Sequence, residues 1–216
     1  MSQETFDKLA QAVIDGEPED AEDLAKQALA EGLDPLDCIN KGLTPGIDRV
    51  GELFATGEYF LPDLIIGGDA MKAALAILEP ALTGNQERQI LGKVVLGTVE
   101  GDLHEIGKTL VGTMLTANGF QVTDIGIDQP ATEFVRAVKD TGATLVGASA
   151  LLTTTMLHQK EVIEALKEAG LRDTVKVMVG GAPVTESWAE QIGADGFAED
   201  AISAVTLAKR LAGATQ

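Results

Sequence analysis

Apolar residues follow two different periods along this chain, and the change falls near residues 83–88. Before that point the spacing is helical. Phe6, Leu9, Ala10 and Val13 recur at three- and four-residue steps over residues 2–14, the pattern of an amphipathic helix. Glu17, Pro18, Glu19 and Asp20 open a second helix running to about Glu31, with Gly16 and Gly32 marking the two ends. A third segment covers 34–59, with Asp34 as its cap and Pro35 at the first helical position. Pro45 inside it has no N–H to donate and a ring that crowds the preceding turn, so a kink or break is expected there. A fourth helix covers 62–82. Four short helices on short connections predict a small antiparallel bundle over residues 1–86.

Residues 83–88, with Gly84 and Asn85, have the composition of a linker. Beyond it, short apolar runs alternate with helical stretches. Strands are predicted at 93–99, 120–127, 144–150, 175–179 and 195–198. Helices are predicted at 105–118, 131–141, 157–169, 185–192 and 200–211. Five strands, each followed by a helix, require parallel pairing with right-handed crossovers, a doubly wound α/β sheet over 87–216. Ligands in such sheets sit at the carboxyl ends of the strands. The expected fold is therefore an all-α four-helix bundle followed by a five-stranded parallel Rossmann- or flavodoxin-like domain.

Composition narrows the function. The single cysteine, Cys38, allows no intramolecular disulfide and cannot complete a zinc cluster even with both histidines, which fits a reducing compartment and a small buried apolar role for the thiol. With 34 acids against 16 Lys and Arg, the net charge of −18 repels phosphate backbones, so nucleic acid is not an expected partner. The polar, acidic N-terminus lacks the features of a leader peptide, and no apolar run reaches the ~18 residues of a membrane span. A cytoplasmic protein is expected.

The loop after the first predicted strand reads Gly101, Asp102, Leu103, His104, Glu105, Ile106, Gly107, and places one of only two histidines at the ligand-binding edge. One residue apart on a tight loop, Asp102 and His104 are able to point the same way. The carboxylate then takes a hydrogen bond from one ring nitrogen and leaves the other free, as in metal sites where an acid orients an imidazole ligand. A histidine bonded to a neighbouring acid at a helix start is the plainer alternative. Gly107, without a side chain, lets a bulky group come close. Neither G-x-G-x-x-G after the strand nor G-x-x-x-x-G-K-[ST] is present, so a dinucleotide or triphosphate site is disfavoured.

After the third strand comes Gly147 to Met156, where Ser149, Thr153, Thr154 and Thr155 offer hydroxyls to a ligand tail or to a hydrogen-bond chain reaching Asp102. One of the threonines is equally suited to capping the next helix. The fourth strand ends in Gly180, Gly181, Ala182 and Pro183, and the fifth in Phe197, Ala198, Glu199, Asp200 and Ala201. Together they offer a narrow slot of small residues, better matched to a long polar threaded ligand than to a stacked ring. His158, beside Gln159, Lys160 and Glu161, reads as a solvated helix residue.

Asp102, His104 and Gly107 form a D-x-H-x-x-G that resembles the signature of cobalamin-binding domains. Ser149 and Leu151 resemble their S-x-L, and Gly180 with Gly181 their later G-G. The three motifs occur in the right order and after the right strands. With the helical bundle, where Val50 to Phe54 and Phe60 to Pro62 also resemble a family segment, the layout looks like the corrinoid methyl-carrier proteins of methyltransferase systems and the corrinoid module of cobalamin-dependent methionine synthase.

That resemblance implies cobalamin as cofactor, bound with His104 in place of the cofactor's own base as the lower cobalt ligand and Asp102 as its orienting acid. Thr155 takes the place of the serine that completes the triad in the methionine synthase module. Gly101, Leu103, Glu105 and Ile106 surround the ligand. Ser149, Leu151 and Thr153 contact the nucleotide tail, Gly180 and Gly181 admit it, and Ala201 sits near its far end. The resemblance also implies partners: a donor-specific methyltransferase acting on methoxylated aromatics, methylamines or betaines, or methanol; an acceptor methyltransferase of the tetrahydrofolate type; and a reductive activator. The helical bundle becomes a cap over the methyl-bearing face, with residues 59–65 excluding water and the linker allowing motion.

Three other readings compete. An adenosylcobalamin mutase subunit shares the motifs but serves a large catalytic barrel, for which these residues leave no room. A cobalamin-dependent sensor needs an output module, and no basic patch or DNA-binding helix pair is evident. A phosphate-receiver module needs a Lys after the fifth strand, where this chain has Phe197, Ala198 and Glu199.

Overall fold

The computed structural model describes residues 2–82 and 90–213, so the expected linker at 83–88 and the motion assigned to it lie outside the described residues. The chain divides into two compact units, Met1–Gln89 and Ile90–Gln216.

The first unit is helical: α1 (Ser2–Asp15), α2 (Pro18–Ala30), α3 (Pro35–Cys38), α4 (Thr44–Ala55), α5 (Leu61–Leu78) and a closing 3-10 turn (Glu79–Ala81). Asp34 caps α3 by accepting the Asp37 N–H at 3.0 Å. Pro45 does not break the third segment. A π-helical turn, Ile39–Leu43, joins α3 to α4, and the Thr44 N–H reaches back to the Ile39 carbonyl. The wider turn makes room for the proline ring that an α-helical repeat would drive into the preceding carbonyl. The segment then ends at Ala55, earlier than its apolar pattern suggested, because Gly57 turns the chain at φ +77°. Leu9, Val13, Leu43, Ile47, Val50, Leu64, Met71 and Leu78 form the core, and Cys38 is buried among them. Burial pushes the Cys38 thiol up to about 11, consistent with an inert apolar role. Helices α1 and α4 approach closely, since a Cβ on Gly46 would lie 2.7 Å from the Ala10 carbonyl oxygen.

The second unit alternates β1 (Gly92–Thr98), α6 (Ile106–Ala117), β2 (Phe120–Asp124), α7 (Ala131–Thr141), β3 (Leu145–Ser149), α8 (Leu157–Glu168), β4 (Lys176–Gly180), α9 (Glu186–Ile192), β5 (Gly196–Ala198) and α10 (Ala201–Leu211). All pairings are parallel, and the strand order is β2-β1-β3-β4-β5. One face buries Val95, Val146, Val177 and Val179 beneath α7, α8 and α9, whose Phe134, Ile163, Leu166 and Ile192 complete that layer. Helices α6 and α10 pack together on the opposite face. The expected doubly wound architecture is therefore present. The second strand is shorter than predicted, because Gly126 (φ +93°) turns the apolar run Ile125 to Ile127 into a loop. The chain reverses direction of winding between β1 and β3, and in open α/β sheets ligands bind at the carboxyl edge of that switch point.

Candidate functional site

The loops after β1 and β3 meet at one buried carboxylate. Asp102 is fully buried and accepts four hydrogen bonds. Its Oδ1 takes the His104 backbone N–H at 3.0 Å and the His104 Nδ1–H at 2.7 Å. Its Oδ2 takes the Leu151 N–H at 2.7 Å and the Thr155 hydroxyl at 2.7 Å. A carboxylate has about four lone-pair directions, and all are used. Burial alone raises this carboxyl's pKa. The bonds from Thr155, Leu151 and His104 outweigh that effect and hold the group well below the usual carboxylate range.

An ionised Asp102 only accepts, so the proton between it and the imidazole belongs to His104 Nδ1. The other ring nitrogen, Nε2, is left with its lone pair on a side chain that remains half exposed. This is the arrangement a metal-ligating histidine requires: one nitrogen fixed, the other presented. Position 104 is also held through its backbone. Thr98, fully buried at the end of β1, donates its hydroxyl to the His104 carbonyl at 2.9 Å. Thr98 was not among the residues singled out from sequence, because a threonine at a strand end carries no motif.

The hydroxyl run resolves into distinct uses. Thr155 donates its hydroxyl hydrogen bond to Asp102, and α8 starts at Leu157 with no side-chain cap, so the helix-capping alternative does not apply. Thr153 is exposed in the turn before α8, and Ser149 ends β3, where its carbonyl accepts the Val99 N–H at 3.0 Å. The buried amide of Gln159, which the sequence reading passed over, donates to the Ala148 and Gly180 carbonyls at 2.9 and 3.1 Å and accepts from Trp188 Nε1 at 3.0 Å. It ties together the ends of β3 and β4.

The glycines separate by what surrounds them. A Cβ on Gly181, at φ +121°, would sit 1.8 Å from the Ala150 carbonyl oxygen, and one on Gly180 would sit 2.9 Å from that of Ala198. The fold itself requires both. A Cβ on Gly107 would meet nothing within 4 Å. Gly107 is exposed in the first turn of α6, three residues after His104, so the helix surface beside the imidazole carries no side-chain bulk there. Gly101 is at φ +77°. Leu103, Ile106, Leu151, Leu152 and Leu157 are exposed on the same edge, and Glu105 starts α6 without a side-chain cap. Ala201, by contrast, is the buried first residue of α10 beyond β5 and does not reach the carboxylate cluster. His158 hydrogen-bonds Glu161 at 2.8 Å and is one-third exposed, as expected of a solvated helix residue.

A presented imidazole nitrogen, a helix surface without side-chain bulk at Gly107 and an apolar rim of leucine and isoleucine suit a macrocycle whose metal takes a histidine ligand. The fold and site thus define a cobalamin-binding α/β domain preceded by a helical unit. Family models agree: a B12 binding domain matches residues 92–206, and a second B12 binding domain model matches residues 5–79. The chain belongs to this family, the corrinoid proteins of methyltransferase systems, and its cofactor is a corrinoid.

Individual relatives are close along their whole length. The chain is 50% identical to a corrinoid protein of Desulfitobacterium hafniense, covering 96% of this chain and 97% of the relative. It is 46% identical to the trimethylamine corrinoid protein of Methanosarcina barkeri, covering 96% of each. Among solved structures it is similar to the methanol:cobalamin methyltransferase complex from Methanosarcina barkeri, with 32% identity, a TM-score of 0.87, and coverage of 99% of this chain and 81% of that one.

Proposed function

We propose that this protein is a methyl carrier that accepts a methyl group from an N-methylated amine, through a donor-specific methyltransferase, and passes it to an acceptor methyltransferase. The observation that carries the reading is the His104 ring, held at Nδ1 by Asp102 and open at Nε2. Bound at that nitrogen, the corrinoid supplies the metal centre that takes and gives the methyl group. The chain's own residues do the rest. Asp102 keeps the imidazole in one tautomer and adds electron density to it. Thr155 and the Leu151 N–H keep Asp102 ionised and fixed, so that the His104, Asp102 and Thr155 groups form one connected hydrogen-bonded unit. Leu103, Ile106 and Leu151 give the macrocycle an apolar rim.

Ser149, Leu151 and Thr153 are assigned to the nucleotide tail in this reading, with Gly180, Gly181 and Ala201 along its path. The helical unit is assigned to shielding the methyl group, for which it carries exposed apolar side chains at Phe60, Leu61, Ile65 and Ile66. The amine class of donor is supported by relatives at 44–50% identity named for trimethylamine and dimethylamine. A tetrahydrofolate-type acceptor enzyme, a reductive activator and a cytoplasmic location complete the proposal. No helix among the described residues is long and apolar enough to cross a membrane.

The test is reconstitution with hydroxocobalamin followed by gel filtration. The wild-type protein should retain about one corrin per chain, and His104→Ala should retain it with a changed visible spectrum and slower methylation. An unchanged spectrum would remove His104 from the cobalt, and loss of the corrin from wild type would end the reading.

A further inference from the structure

The loop that carries Asp102 and His104 is gripped from the side by the loop after β2. The Thr98 N–H donates to the Gly126 carbonyl at 3.0 Å, and the Gln129 N–H donates to the Thr98 carbonyl at 3.0 Å. Between these two bonds lies Asp128, which engages the next stretch of the ligand loop twice. Its backbone N–H donates to the Asp102 carbonyl at 3.0 Å, and its Oδ1 accepts the Gly101 N–H at 2.7 Å. Residue 128 thus holds both ends of the Gly101–Asp102 dipeptide, which contains the orienting acid itself.

The backbone at this position is unusual. Asp128 has φ +54°, and among the described residues it is the only non-glycine with positive φ. That conformation is strained for an ordinary L-residue and is best tolerated by Asn and Asp. It turns the N–H and the side chain of one residue toward the same segment. Asp128 is exposed and no part of the packed core, so apolar burial does not explain why the strain is kept. Both of these hydrogen bonds go to the loop that carries His104.

We propose that Asp128 is a positioning residue for the cobalt ligand, fixing the Gly101–Asp102 backbone so that Asp102 and the His104 ring it orients keep their aim. The proposal rests on the corrinoid reading above. Without the Gly101 bond, Asp102 still has its four donors, but the backbone that carries it loses its lateral anchor. His104 then samples a wider range, and fewer molecules present Nε2 in line with the metal.

Three substitutions in the full-length chain separate the side-chain bond from the backbone strain. Asp128→Asn keeps an acceptor and tolerates positive φ, Asp128→Gly keeps only the backbone freedom, and Asp128→Ala keeps neither. Amide exchange at Gly101, followed by NMR in the cofactor-free protein, reads the anchor directly. The rate of hydroxocobalamin release and the visible spectrum of the loaded protein read its consequence. Asp128→Ala and Asp128→Gly should exchange Gly101 about tenfold faster, release the corrin about threefold to tenfold faster, and shift the spectrum part of the way toward that of His104→Ala. Asp128→Asn should behave as wild type. If wild type retains the corrin but Asp128→Gly matches it in exchange, release and spectrum, the positioning role is overturned alone. If wild type retains no hydroxocobalamin, the corrinoid reading falls and takes the proposal with it.

Discussion

Four donors converge on Asp102, and that convergence gives the residue its charge, its rigidity and its pH dependence. Its pKa in the folded protein lies below the unfolded value, so its ionisation stabilises the fold above about pH 4 and ceases to do so as pH falls below that. Asp102→Asn should therefore be less stable than wild type by about 1–3 kcal/mol at neutral pH, with the gap shrinking on acidification below about pH 4. Denaturant titrations followed through Trp188, the single tryptophan of the chain, measure this in the unit that holds the site. Gly107 offers the opposite experiment. Since a Cβ there meets nothing, Gly107→Ala should leave stability unchanged or raise it by about 0.5–1 kcal/mol through helix propensity, while corrin retention falls. Retention at the wild-type level would mean that no ligand occupies that space. Asp102, His104 and Gly107 were readable in the sequence because they are neighbours on one loop. Thr98 and Asp128 were not, because their partners lie in other segments and a lone Thr or Asp in a loop has no periodicity to betray it.

Strands and helices followed from the apolar period almost throughout, and the departures have local causes. The π turn absorbs Pro45, and Gly126 ends β2 before its apolar run does. The ends of the strands depend on contacts that no pattern specifies. Gln159 bridges β3 and β4 from a helix whose sequence looks ordinary. Gln159→Leu takes the acceptor from the Trp188 N–H and removes the side-chain donor to the Ala148 and Gly180 carbonyls, so a loss of about 1–3 kcal/mol is expected by chemical denaturation. Gly181→Ala should cost more, because the added methyl group meets a backbone oxygen and φ +121° disfavours any side chain. If Gly181→Ala folds as well as wild type, the β3 and β4 loops pack less tightly than this geometry requires.

Charge is unevenly shared between the two units. Residues 1–89 carry 18 acids against 6 Lys and Arg, and residues 90–216 carry 16 against 10. A surface so acidic on the helical unit suits partners with basic faces. Association with a donor-specific methyltransferase should then weaken severalfold as salt rises from about 50 mM to 500 mM, chiefly through the association rate. Binding insensitive to salt would assign recognition to the exposed apolar side chains instead. At this scale the residue order was enough to give the two units, the parallel sheet, the corrinoid family and the aspartate–histidine pair. Each of these is local along the chain, or repeats with a period that a linear sequence displays. Which threonine reaches Asp102, and what holds the Gly101–Asp102 backbone, depend on residues 27 to 53 positions apart meeting at the sheet edge. Such meetings are set by strand order and crossover geometry, and these exist only once the chain has folded.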